Sequence, residues 1–464
     1  MAATRGGGRV LTALFFFPRG GSAQVTRSLC RSLPATGWRP SVVAGSLDSP
    51  GAQTHAATFF SGLDIHAVDY SPAALLADPL GADVPFQPSF EDRPGAPDRV
   101  FAAVGDAPYE RLVRAWEGAL TAAGAAGADV LHLHHLTPIN EAAARSFPSV
   151  PVVSQLHGTE LAMLREIGVG PPAGWPYVER WAERMRGWAR AAAHVLVPPG
   201  DEDDVTTFLE LDRGRVTGLP SGVELDRFVR RPLDPEERHA FWRRWLVEEP
   251  RGWDESGVPG TVGYAQDDLE PFAAGVPVLL YVGRYTRVKR LPLLIRAHAR
   301  ACASLGSRVA LVLLGGHPGE WEGDHPLRVI REARARDVFL AGWRPHEELA
   351  DAMNAADVVV LPSVHEAFGL VLIEGMACGL PAIAVDAHGP ADIVEDGETG
   401  WLVPPDDEEA LARALAQAAG DAEERARRGH LAHERSRASY GWESIAARVA
   451  TLYGTVARRG VRAS

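Results

Sequence analysis

The chain has 464 residues, 46% of them hydrophobic and 23% charged, with 47 Gly and 35 Pro. These are globular proportions, which argue against collagen, coiled coil and wholesale disorder and leave room for two or three domains. The 47 Lys and Arg stand against 60 Asp and Glu, a net charge of −13, so a nucleic-acid partner is not expected. The three cysteines, Cys30, Cys302 and Cys378, lie far apart and form neither a disulfide framework nor a zinc pair.

Arg5 and Arg9 precede an apolar run at 10–17. The run is short for a signal-peptide core and has no small-residue cleavage pattern behind it, so a first buried strand is the better reading. No run approaches the roughly 20 apolar residues that span a bilayer, and a cytoplasmic protein is expected. Strands are predicted over 10–17, 39–45, 129–133, 150–156 and 193–197. Helices are predicted over 22–33 and 109–124, and a long loop over about 71–99. Continuous apolar strands between helices mean a parallel, doubly wound sheet. The pattern then restarts, with strands at 277–283, 308–314, 338–340, 357–361 and 382–385 and helices at 291–305, 345–354 and 369–378. The expected architecture is α/β, with two Rossmann-like halves over 1–220 and 221–440 facing a cleft. The hinge falls near Pro220-Ser221-Gly222. A C-terminal helix over about 440–464 is expected to pack back on the first half. Residues 236–275 fit neither period and read as an insertion. Such folds bind ligands in the cleft at the carboxyl ends of their strands.

The most informative stretch runs from Ser363 to Pro381. Glu366 follows a strand, Gly369 and Leu370 open a helix whose free N–H groups suit a phosphate, and Glu374 lies one turn in. A carboxylate there can accept from a ribose diol beside the phosphate. The alternative is a solvated Glu374 and a capping Glu366, but Leu372, Ile373 and Met376 make the helix apolar.

Other residues carry weaker signals. His157 ends a strand in the first half, with Gly158 allowing close backbone approach and Thr159 able to cap the next helix; a buried structural histidine is the alternative. His132 and His134 should share one face of a strand and His135 the other. No third ligand for zinc is evident, so His134 and His135 read as cleft lining. Asp201, Asp203 and Asp204 read as an acidic helix start rather than as a metal-holding Asp-x-Asp. Trp181, Met185 and Trp188 form a helical stripe beside arginines. It reads as core with snorkelling arginines, weak membrane-surface contact being the alternative.

The segment from Glu366 to Glu374, followed by Met-Ala-Cys-Gly-Leu-Pro, resembles the signature of retaining GT-B glycosyltransferases of family 4. Gly283-Arg284 with Lys289 resembles the family's donor-phosphate pair, Leu219–Phe228 its hinge, and Gly389-Pro390 with 393–404 its stretch after the donor site. Gly20-Gly21 resembles its first glycine-rich turn, and His157-Gly158-Thr159 a segment whose histidine lies near the reacting sugar. The resemblance implies transfer of a hexose from a nucleoside diphosphate sugar to a small-molecule, lipid-linked or glycan acceptor, with retention. The second half would bind the nucleotide and the first the acceptor. His157, Arg284, Lys289 and Glu366 would be catalytic. Gly20, Gly21, Gly283, Trp343, Arg344, Phe368, Gly369, Leu370, Val371 and Glu374 would hold the donor, and His134, His135 and Thr159 would line the acceptor cleft. No cofactor or metal is implied. Arg284 and Lys289 would face the charge that grows on the departing phosphate, although a solvated basic helix start is the plainer reading of Arg287, Lys289 and Arg290. Arg290 departs from the family, which commonly has a small residue there. A nucleotide-sugar hydrolase or epimerase, or a nucleotide-sugar binding protein without turnover, are the alternatives.

Overall fold

The central strands of both sheets are mostly apolar and buried, because helices cover both faces of a parallel sheet and leave little room for a polar alternation. The structure, a computed structural model, describes residues 7–18, 20–81, 83–91, 99–273, 275–366 and 368–463. The chain divides into two compact units, Met1–Gly222 with Trp442–Ser464, and Val223–Gly441.

In the first unit seven parallel strands run β1 (Arg9–Leu14), β2 (Arg39–Ser46), β3 (Ile65–Asp69), β4 (Val130–His134), β5 (Val152–Gln155), β6 (His194–Val197) and β7 (Val216–Gly218). Their spatial order is β3-β2-β1-β4-β5-β6-β7. The order reverses between β1 and β4, which are paired with Leu14 opposite His134. β1 stops at Leu14 rather than continuing to residue 17. Phe15 leaves the sheet to stack on Trp116, with ring centroids 5.5 Å apart. Helix Val178–Ala191 buries Trp181, Met185 and Trp188, so the stripe is core and is not available to a membrane. Arg184 lies with its guanidinium 3.5 Å from the centre of the Tyr109 ring. Helix Trp442–Ala463 buries Ile445, Val449, Tyr453 and Val456 together with Val10, Leu29, Leu33 and Val130. Among the described residues no helix is long and apolar enough to cross a membrane.

The second unit has six parallel strands, β8 (Val278–Gly283), β9 (Ala310–Gly315), β10 (Val338–Gly342), β11 (Val358–Leu361), β12 (Ala382–Val385) and β13 (Gly400–Val403). Their order is β10-β9-β8-β11-β12-β13, so the reversal falls between β8 and β11. The region expected to be an irregular insertion instead packs into this core. Helix Pro235–Arg243 starts in a capping box between Asp234 and Glu237. Trp242, Trp245 and Trp253 are 0–1% exposed. The three strands that the sequence pattern does not predict, β3, β7 and β13, are edge strands. All three are short; β3 and β7 are also partly exposed and lack the continuous apolar run that marks a central strand, whereas β13 is largely buried.

Candidate active site

Each unit gathers polar groups at the point where its strand order reverses, where adjacent crossovers leave to opposite faces and open a crevice beyond the strand ends. In the second unit Arg284 and Lys289 follow β8, while Glu366, Gly369 and Glu374 follow β11. The two loops are joined by a hydrogen bond from the Val364 N–H to the Val288 carbonyl, 3.0 Å. Across this junction Lys289 Nζ pairs with Glu366 Oε2. Both side chains are half-buried, which keeps the pair partly desolvated yet reachable. Arg284 is exposed, and among the described residues no ion pair engages it.

Gly369 caps helix Leu370–Ala377 with φ of 103°. A side chain there would be strained, and its Cβ would lie 3.1 Å from Leu372 Cδ1, so glycine is required. Glu374 is almost fully buried on this helix, and its Oε1 lies 2.6 Å from His346 Nε2. The His346 Nδ1 lies 3.3 Å from Arg227 Nη1. Burial is the largest single influence on His346 and would lower its pKa, but the hydrogen bond to Glu374 and the carboxylate charge together outweigh it and raise the value. Gly283, at the end of β8, leaves too little room for a side chain, since a Cβ would lie 2.7 Å from the Tyr281 hydroxyl.

Two residues expected to present side chains to a ligand point inward. Phe368 is 8% exposed and meets Tyr440 edge-on. Arg344 stacks on Trp245, 4.5 Å from the ring centre, and donates to the carbonyls of Trp245 and Glu249. Burial pulls its pKa down to about 10. Arg344 therefore fastens the 236–275 region to the sheet. Neighbouring Trp343 remains 46% exposed. Leu370 and Val371 are partly buried against the core.

In the first unit an imidazole cluster closes the ends of β4 and β5. His134 Nδ1 and His157 Nε2 are 2.9 Å apart. His132 stacks on His134 at 4.6 Å, and its Nδ1 lies 2.6 Å from the Tyr453 hydroxyl. His135, in the left-handed region at φ 67°, places Nδ1 2.8 Å from Glu160 Oε1. The second oxygen of Glu160 accepts from the His157 N–H at 3.3 Å and the Thr159 hydroxyl at 3.2 Å. Burial would raise the Glu160 pKa, but His135 and its other donors hold it at about 2. Burial, reinforced by neighbouring imidazoles, holds His134 and His157 well below their ordinary values. Burial also pushes His132 down to about 3. His134 is 0% and His135 3% exposed. They therefore back the site rather than line its surface, and His134 takes up one nitrogen of His157. Gly158, not Thr159, caps the following helix.

Gly20 precedes helix Gly21–Ser32, and nothing lies within 4 Å of where its Cβ would be, so protein packing does not require a glycine there. Asp201 precedes helix Glu202–Phe208, whose first turn is acidic, as the helix-start reading expects. Its partner is Arg165, and burial lifts its pKa to about 6. Among the described residues no three His, Cys, Asp or Glu side chains are grouped to hold a metal.

Sequence reasoning missed His346 and Glu160, since neither stands in a spacing that marks it. It also passed over a plain signal for Lys289, which is the sole lysine of the chain, every other residue of that charge being arginine.

Glycosyl transferases group 1 matches residues 267–435, and Glycosyltransferase Family 4 matches residues 19–227. The chain is 33% identical over 271 residues to a D-inositol 3-phosphate glycosyltransferase of Streptomyces avermitilis, covering 57% of this chain and 52% of that one. It thus spans about half the length of that relative. It is 31% identical over 344 residues to an alpha-maltose-1-phosphate synthase of Mycolicibacterium smegmatis, covering 72% of this chain and 80% of that one. The fold is similar to that of Anabaena Alr3699/HepE in complex with UDP-glucose, at a TM-score of 0.64, 16% identity, and coverage of 97% of this chain and 100% of that one. With a family match on each unit and a relative matched over most of its length, the chain belongs to the group 1, family 4 glycosyltransferases and has their GT-B fold.

Proposed function

We propose that the chain transfers a hexose from a nucleoside diphosphate sugar to a hydroxyl of its acceptor, with retention of configuration. The observation that carries this reading is the convergence of Lys289, Glu366, Gly369 and Glu374 on the crevice between β8 and β11. A diphosphate at the start of helix Leu370–Ala377 would meet free backbone N–H groups and the cations Lys289 and Arg284. The ribose would meet Glu374, and the hexose Glu366. Binding would have to part Lys289 from Glu366, freeing the cation for phosphate and the carboxylate for sugar hydroxyls. As the bond from the anomeric carbon to the diphosphate oxygen breaks, charge grows on that oxygen, where a fixed cation stabilises the transition state more than the ground state. The acceptor oxygen bonds to the anomeric carbon on the face the diphosphate leaves, and the departing phosphate oxygen takes the acceptor proton. His157, held neutral and tied to His134 through Nε2, offers Nδ1 to a hydroxyl as a neutral hydrogen-bonding group. The nucleoside diphosphate sugar in the Anabaena fold neighbour suits this donor class.

The test is turnover of a panel of nucleoside diphosphate sugars with polyol, sugar and sugar-phosphate acceptors. Diphosphate release is followed, and the anomeric configuration of the product is read by NMR. Acceptor-stimulated release with retained configuration is expected. Release that no acceptor stimulates would replace this reading with a hydrolase.

A further inference from the structure

Glu374 does not act alone. Its Oε1 is 2.6 Å from Nε2 of His346, a residue that follows β10. The other ring nitrogen, Nδ1, faces Arg227 Nη1 at 3.3 Å, and Arg227 Nη1 also pairs with Glu224 Oε2 at 2.5 Å. The ring of Phe228, 5.5 Å away between centres, flanks the imidazole. The charges facing His346 are thus Glu374 from helix Leu370–Ala377 and Arg227 and Glu224 from the first residues of the second unit.

The chemistry of these partners fixes the tautomer. A guanidinium can only donate, so Nδ1 must accept, and the ring proton must sit on Nε2. Nε2–H therefore donates to the carboxylate. One lone pair of Glu374 is occupied and the group is held at a set angle, which leaves its other oxygen for a diol. An unheld glutamate on an eight-residue helix would have to lose side-chain freedom each time it received a ribose.

We propose that His346 is a positioning residue for the nucleoside. In this reading the series of ionic and hydrogen-bonding contacts Glu224–Arg227–His346–Glu374 pre-sets the carboxylate for the ribose diol and ties it to the segment where the chain enters the second unit. The proposal rests on the reading of Glu374 as the ribose-binding group. It implies that His346 acts on binding of the whole nucleotide, whether or not a sugar is attached, and hardly on the chemical step.

The amide variants separate the two ring nitrogens. In His346→Gln the side-chain amide nitrogen reaches the place of Nε2 and can still donate to Glu374. In His346→Asn it reaches only the place of Nδ1 and cannot. Calorimetric titration of the full chain with UDP, ADP, GDP, CDP and TDP finds the diphosphate that the unaltered protein binds. That ligand is then titrated into both variants and into His346→Phe, with melting temperatures recorded to confirm folding. Gln is expected to bind within about threefold of the unaltered chain, while Asn and Phe weaken about tenfold, the size of one hydrogen bond to a charged group. The donor KM should rise in the same ratio with kcat unchanged. Equal affinities for Gln and Asn, or a fall in kcat with KM preserved, would overturn the positioning role while leaving the nucleotide reading intact. Failure of the unaltered chain to bind any diphosphate would overturn both.

Discussion

The two units carry polar clusters at equivalent points of equivalent sheets, yet build them from opposite materials. The first unit uses imidazoles packed into the sheet end, of which His132, His134 and His157 are held uncharged by burial. The second uses an ion pair, Lys289 with Glu366, on two loops and keeps it half-buried. The contrast fits the two substrates of the proposed reaction. A polyhydroxylated acceptor needs neutral hydrogen-bonding groups in fixed places, and buried imidazoles give fixity. A nucleoside diphosphate needs charge that can be released from an internal partner, which requires partial exposure. A fully buried ion pair resists separation because each charge would be stranded.

The sharpest way to break this comparison is to remove one member from each cluster. Lys289→Ala should lower kcat by roughly 10²–10³, the usual worth of a group aimed at developing transition-state charge. His157→Ala should lower kcat/KM by only about tenfold, the worth of one neutral hydrogen bond at its upper range. Lys289→Arg should rescue poorly, because a planar fork cannot replace a compact ammonium. A larger loss in His157→Ala than in Lys289→Ala would reverse the assignment of the charged step to the second unit.

Acid should then separate the units by stability. His132, His134 and His157 have folded pKa values below the unfolded value near 6.5, so the unfolded chain binds more protons in that window. Their contribution is complete well above pH 6.5 and is lost as pH falls below it. Asp201, raised to about 6, works in the opposite direction and offsets part of this loss. In the second unit His346 has a raised value, so its contribution is present below the unfolded value and fades as pH rises through the folded one. Hydrogen exchange at pH 7.5 and 5.5 should show the first unit loosening selectively on acidification. Uniform protection across both units at both values would mean that the imidazoles are hydrated.

Within the second unit the two glutamates should divide the donor between them. Glu374→Ala is expected to weaken the free nucleoside diphosphate about tenfold, whereas Glu366→Ala should spare the free diphosphate and damage turnover. If calorimetry shows both variants losing the diphosphate alike, the two roles are not separate. The smallest expected effect is that of EDTA. Cations already stand at the proposed phosphate site, so activity should persist in the chelator; loss restored by Mn or Mg would bring back the acidic residues near Asp201.

The residues that the sequence singles out for the donor divide unevenly in the structure. Lys289, Glu366, Gly369 and Glu374 converge, because each follows a strand on one side of the same reversal in sheet order. Phe368 and Arg344 have the right neighbours in sequence but turn inward. An aromatic beside Tyr440 gains more from burial, and Arg344 is claimed by Trp245 and two carbonyls of the 236–275 region. That region looked irregular because its helix is short and its tryptophans are spaced for contact with a sheet rather than for a periodic face. Its Asp234-Pro-Glu-Glu237 start was nonetheless a readable capping signal.

The sequence by itself determined the alternation of apolar strands and helices, the restart of that pattern, and the local chemistry of Gly369 and of the carboxylates around it. These depend on neighbours a few residues away, where periodicity, capping and backbone strain act. Only the tertiary structure decided which strands are adjacent, and therefore that Lys289 would meet Glu366 and His346 would meet Glu374. It also turned His134 and His135 from surface lining into buried supports for His157. Their side-chain types are the same in either setting. Burial changes the ionisation and the number of free nitrogens, and burial is set by residues more than a hundred positions away, such as Phe16, whose ring centre lies 4.9 Å from that of His135.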